Sequence, residues 1–178
     1  MATKILKHNV QGFIFCCALG TLMHFLYKWS GGMVIAGIFC PVNESVWEHL
    51  KMIFYPFILW TLFEYYFLRE SSFSAFSVLN GVLCGMIATL SVYYIYTGAS
   101  GKSNLAADIF SFILGVAVTF AASKKATEKA QRKNRFCETF SVLAITSISL
   151  LFTLFTFIPP NIPLFIDITT GTYGIQRH

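Results

Sequence analysis

Apolar side chains run through this chain in blocks long enough to cross a bilayer, and the polar positions between them are few and clustered. A helix rises about 1.5 Å per residue, so roughly 20 apolar residues traverse a hydrocarbon core about 30 Å thick. Five blocks meet that length, at about 10–29, 44–68, 73–97, 104–123 and 136–158. The pattern predicts an all-α integral membrane protein, a single bundle of five transmembrane helices spanning residues 1–178. The segment 30–42 is apolar but too short to cross, and Gly31, Gly32 and Gly37 weaken it as a helix. It is expected to be re-entrant or interfacial, because irregular backbone at membrane depth survives only where protein or water satisfies it. Pro159 and Pro160 stop the last block and leave a tail, 159–178.

Small residues sharpen the packing expected inside the bundle. In the first block Gly12, Cys16, Gly20 and His24 recur every four residues, a stripe along which another helix can approach closely. His24 should therefore face the bundle rather than lipid. Ser77, Gly81 and Gly85 in the third block and Ala107, Ser111, Gly115 and Thr119 in the fourth repeat the spacing, and a short turn joins them. They predict a close antiparallel pair, with Asp108 near the second stripe and pointing inward. In the second block Asn43 is the expected N-cap, and Pro56 should kink the helix near its middle.

Composition supports the membrane reading: 56 % of the residues are hydrophobic and 12 % charged. No small-x-small cleavage site ends the first apolar run, and the interfacial pair Lys28 and Trp29 does, which reads as a transmembrane helix rather than a signal peptide. The net charge of +5 is unevenly spread. Lys4, Lys7, Arg69 and the basic stretch 124–135, with Lys124, Lys125, Lys129, Arg132, Lys133 and Arg135, fall on one face of a five-span bundle. Lys28, Lys51, Lys102 and Arg177 fall on the other, so the bias predicts N-in and C-out. The basic loop lacks interleaved aromatics and is explained by orientation, which sets nucleic acid aside as a partner. The partners expected are the lipid bilayer and a lipid or amphiphilic ligand, and a homo-oligomer is compatible with the sequence. Cys16, Cys17, Cys40, Cys84 and Cys137 lack the paired spacing of a disulfide framework and read as reduced packing residues.

Chemistry is concentrated in Asn43-Glu44-Ser45-Val46-Trp47-Glu48-His49-Leu50-Lys51, at the start of the second block. On a helix Glu44, Glu48 and Lys51 share one face, with His49 on a neighbouring one. The topology puts this motif on the same extracytoplasmic side as His24, Asp108 and the tail with Asp167. A plain amphipathic helix start would also suit it, with Glu44 at the helix dipole, Glu48 paired to Lys51 and Trp47 anchored among headgroups.

The segment Pro41-Val42-Asn43-Glu44-Ser45-Val46-Trp47-Glu48-His49-Leu50-Lys51, together with Pro159-Pro160-Asn161-Ile162-Pro163-Leu164-Phe165-Ile166-Asp167 and Thr170-Gly171-Thr172-Tyr173-Gly174, resembles an uncharacterised family of small bacterial polytopic membrane proteins. The resemblance implies a multi-pass fold in a bacterial cytoplasmic membrane and no particular activity.

Three functions fit the polar residues. In the first, His24, His49, Asp108 and Asp167 supply ligands for a divalent metal, with zinc the best match, and no organic cofactor is indicated. Glu44, Glu48 and Lys51 would then carry catalysis in a metal-assisted hydrolase or transferase, the carboxylates as ligand or base and Lys51 steering an anionic headgroup. Asn43, Trp47 and Tyr173 would contact an amphiphilic or lipid-linked substrate. In the second, the short segment and the kinked helix form a transport path for a small solute or ion, with acids and His24 relaying protons. In the third, the cluster is an interface of a non-catalytic accessory subunit. The spacing matches no established metal signature such as H-E-x-x-H.

Overall fold

The computed structural model describes residues 2–68, 74–129 and 135–175. Arg69, Glu70, Arg132, Lys133 and Arg177 lie outside these described residues. Six α-helices make up the described chain: α1 (Ala2–Trp29), α2 (Val34–Phe39), α3 (Val46–Phe63), α4 (Ala75–Ser100), α5 (Leu105–Lys129) and α6 (Arg135–Phe157). A π-helical turn, Glu64–Leu68, continues α3. Four helical stretches, Asn9–Trp29, Ala75–Ser100, Leu105–Glu128 and Arg135–Phe157, are long and apolar enough to cross a membrane.

Of the five blocks expected to span, the one that fails this test is α3, and its position explains why. Its 18 residues carry Glu48, His49 and Lys51, and most of its surface is buried by its neighbours, from Val46 at one end to Trp60 and Thr61 at the other. It is the central post of the bundle, surrounded by α1, α4, α5 and α6, so its sequence is not selected for contact with lipid. It runs antiparallel to α1. His24 meets His49 at one end, Gly20 faces the Met52 carbonyl one turn further on, and Gly12 faces Trp60. The stripe is needed for this approach: a Cβ on Gly20 would stand 2.6 Å from the Met52 carbonyl oxygen. The helix passes through Pro56, which is buried, without interruption.

The third and fourth sequence blocks do form a close pair, α4 against α5. A Cβ at Gly85 would stand 2.7 Å from the Gly115 carbonyl, and one at Gly81 would stand 2.9 Å from that of Thr119. Backbones this near gain dispersion contacts along the whole seam, and the Thr89 hydroxyl adds a 3.2 Å hydrogen bond to the Ser111 carbonyl. The basic stretch from 124 departs from expectation, because α5 continues through it as far as Lys129. Ala, Glu and Lys are good helix formers, so the change to charged residues there does not end the helix.

Between α1 and α3 the chain reverses. Gly31 and Gly32 adopt φ of 71° and 79°, a left-handed pair that sends the chain out of α1 and into α2. The segment expected to be re-entrant or interfacial is this six-residue helix. It exposes Met33, Val34, Ile35 and Phe39 and turns Gly37 inward. After α6 the tail makes a 3-10 turn, Pro163–Phe165, and an isolated antiparallel bridge between Ile166 and Tyr173. Phe165 packs against Trp47 of α3, ring centroids 5.0 Å apart, which brings the tail over the start of α3.

The seam gives a direct test. Gly85→Val should lower stability by about 1–3 kcal/mol through overpacking. Gly98→Ala, where nothing lies within 4 Å, should be neutral or slightly stabilising. Thermal unfolding of the two variants in detergent reads the difference.

Candidate metal centre

The loop between α2 and α3 is built by short-range side-chain bonds. Ser45, not Asn43, caps α3: its hydroxyl accepts from the Glu48 amide at 3.3 Å. The Asn43 carboxamide oxygen accepts from the Ser45 amide at 2.9 Å, the local turn that Asn favours ahead of a cap. The shift has a consequence for the carboxylates. Glu44 falls outside the helix, so it does not share a face with Glu48, and the two side chains turn to different partners.

Glu44 turns to the two histidines. Its Oε1 stands 3.7 Å from His24 Nε2 and its Oε2 stands 3.4 Å from His49 Nε2. The imidazole centroids are 5.2 Å apart, and one ligand atom from each of the three residues lies within 4.8 Å of the others. All three side chains are partly exposed. His49 Nδ1 lies 2.7 Å from the Ser45 carbonyl oxygen. A carbonyl only accepts, so Nδ1 carries the hydrogen and the neutral ring presents its Nε2 lone pair to the Glu44 carboxylate. Two lone pairs facing each other require a cation between them, a proton on the ring or a metal ion. When the His49 ring carries a second proton, its hydrogen bond holds the Glu44 carboxyl below its usual range against the opposing effect of burial. His24 Nδ1 is buried with no hydrogen-bond partner among the described residues.

Glu48 and Lys51 form a second constellation, fully enclosed. The Lys51 ammonium donates to Glu48 Oε2 at 2.7 Å, to the Gly37 carbonyl at 2.9 Å and to the Thr156 hydroxyl at 2.6 Å. Glu48 Oε2 also accepts from the Val42 amide at 3.1 Å, and its Oε1 lies 2.8 Å from the Thr156 hydroxyl. All three ammonium hydrogens are thus engaged. This joins α2, α3, α6 and the loop at one point.

The remaining predicted residues are engaged elsewhere. Asp108 accepts from the Tyr96 hydroxyl, between α4 and α5. Asp167 sits in the tail, where its Oδ1 accepts from the Thr169 amide at 2.8 Å, the Thr169 hydroxyl at 2.6 Å and the Thr170 amide at 3.2 Å. Burial raises the Asp167 carboxyl, but these donors outweigh it and hold it below the usual range. The Asn43 amide donates to the Gly174 carbonyl at 3.0 Å. Trp47 packs among Phe152, Phe155 and Phe165, and Tyr173 pairs with Ile166. Of the ten residues singled out in the sequence, His24, Glu44 and His49 meet as one cluster. Thr156 and the Gly37 carbonyl were not anticipated. A single Thr in an apolar helix and a backbone oxygen carry no sequence signal, and only the fold brings them to Lys51.

The arrangement offers two imidazoles and a carboxylate on three separate segments, a donor set suited to zinc. No curated protein and no solved structure matches this chain. A family model does, over residues 2–175, and the chain belongs to that family, a family of unknown function (DUF6512).

Proposed function

We propose that this is a five-span protein of the bacterial cytoplasmic membrane that binds a divalent metal, best zinc, through His24, Glu44 and His49 at the extracytoplasmic face. The metal would serve hydrolysis or group transfer on an amphiphilic substrate. The observation that carries the reading is the His49 ring, whose Nδ1–H is committed to the Ser45 carbonyl while Nε2 is aimed at a carboxylate oxygen 3.4 Å away. Fixing one ring nitrogen on a backbone carbonyl and presenting the other is how proteins orient an imidazole ligand. Support for α3 as the fifth crossing comes from its register with α1, which it follows from His24 to Gly12. The orientation rests on the uneven distribution of Lys and Arg.

His24, Glu44 and His49 would hold the metal, and the metal would supply an activated water for hydrolysis or group transfer. Chemistry at one face suits the interior better than a path through it. Between the two ends of α3 lie Cys16, Ile53, Phe54, Phe57, Val82 and Val116, all essentially inaccessible and apolar.

Protein purified in detergent without chelator should carry about one zinc per chain. His24→Ala and His49→Ala should lose it while keeping the wild-type helical circular dichroism. A metal-free wild type that takes up no zinc in titration would refute the assignment. Protons compete for the same nitrogens, so zinc affinity should fall as pH drops through the imidazole range near about 6.5.

Glu44 gives a second pH signature in the metal-free protein. Its folded-state pKa lies below the ordinary 4.5, so its ionised form adds stability above that pH, lost as pH falls through the lower folded value. Glu44→Gln should therefore unfold at a lower temperature than wild type at pH 6, with the gap closing as pH falls below 4.5.

A further inference from the structure

The loop that carries Glu44 is held by hydrogen bonds on both sides of that residue. The Val42 amide is bound by Glu48 Oε2, and the Asn43 side chain is bound by the Gly174 carbonyl. The Ser45 amide is bound by the Asn43 carboxamide oxygen, and the Ser45 hydroxyl caps α3. None of these four bonds touches the histidines, yet together they fix the backbone on both sides of the Glu44 side chain. One of the four comes from the tail, 131 residues away in sequence.

Asp167 is itself rigidly placed. It is buried, its Oδ1 takes three donors from Thr169 and Thr170, and its own amide donates to the Thr172 carbonyl at 2.8 Å. Gly171 and Gly174, at φ of 71° and 68°, let the tail fold back tightly enough to present the Gly174 carbonyl to the loop. Phe165, buried against Trp47 and Phe155, anchors the tail on the start of α3 and the end of α6. A segment with this much internal bonding holds its shape and can act as a clamp.

We propose that the C-terminal tail is a clamp that sets the metal affinity of the His24–Glu44–His49 site, with Asp167 and Asn43 as positioning residues for Glu44. The inference rests on the metal reading above. A free loop would have to order Glu44 at the moment the ion binds, and ordering costs affinity. A loop already pinned at Asn43 and Ser45 presents the carboxylate in place. Asp167 contributes through the Oδ1 that accepts from Thr169 and Thr170 and shapes the tail turn, and a neutral carboxamide keeps that oxygen.

Zinc titrations of the full-length chain in detergent, against a chromophoric chelator, test the proposal. Asp167→Ala should weaken zinc about 10- to 100-fold, the range for partners that orient metal ligands. Asp167→Asn should remain close to wild type. Asn43→Ala, which breaks the bond to Gly174, should also weaken zinc and stands as the independent readout if Asp167→Ala does not fold. The clamp is refuted if both alanine variants bind zinc as tightly as wild type, or if Asp167→Asn is as weak as Asp167→Ala. Failure of the metal reading is distinct: wild type itself would then bind no zinc, and the clamp would fall with it.

Discussion

The Lys51–Glu48 ion pair is the interaction on which the rest of this structure depends. Both side chains are buried, Lys51 completely, at a point where α2, α3, α6 and the loop before α3 converge. Taking two charges out of water is expensive, and the cost is offset only when the charges meet in good geometry and their remaining hydrogen-bonding capacity is used. Here it is used: the ammonium has three acceptors, and the carboxylate takes donors on both oxygens. Removing either partner alone would strand a charge in a medium with no water to solvate it, a loss of about 3–5 kcal/mol. The pair is therefore an all-or-none lock. Because one of its donors is the Val42 amide, the lock also decides where the Glu44 loop lies.

Around that lock, close backbone approach supplies the cohesion that water would supply to a soluble protein. Lipid tails are as apolar as a leucine side chain, so helices in a bilayer gain little from hiding apolar surface and associate through tight packing instead. The Gly20 and Gly12 contacts bring α1 onto α3, and Gly81, Gly85 and Gly115 bring α4 onto α5. The two seams surround α3 with rigid walls. A polar cluster at one end of the bundle can then be held at fixed distances although its ligands come from α1, a loop and α3.

The seams were legible in the sequence because a four-residue repeat of small side chains has a single use in a membrane helix. The apolar block lengths gave the helices, and the concentration of ionisable groups from Asn43 to Lys51 pointed to the end of the bundle where chemistry gathers. The division of that motif was not legible. A uniform helix from Asn43 would have put Glu44 and Glu48 side by side. The cap at Ser45 separates them, sending Glu44 to the histidines and Glu48 inward to Lys51. Which of Asn43 and Ser45 caps depends on the bond from Asn43 to the Gly174 carbonyl, a long-range contact that helix propensity does not register. The placement of Asp167 was hidden for the same reason. An acid in a turn-rich tail reads as a ligand until its oxygen is found to be occupied by donors of its own turn.

The central claim is that this packing aims two imidazoles and one carboxylate at a single cation. X-ray absorption at the zinc edge, recorded on zinc-loaded protein in detergent, tests it most directly. A four-coordinate first shell is expected, with two imidazole nitrogens at about 2.0–2.1 Å and the remainder oxygen at about 2.0–2.2 Å. A shell of oxygen alone, or one containing cysteine sulfur, would contradict it.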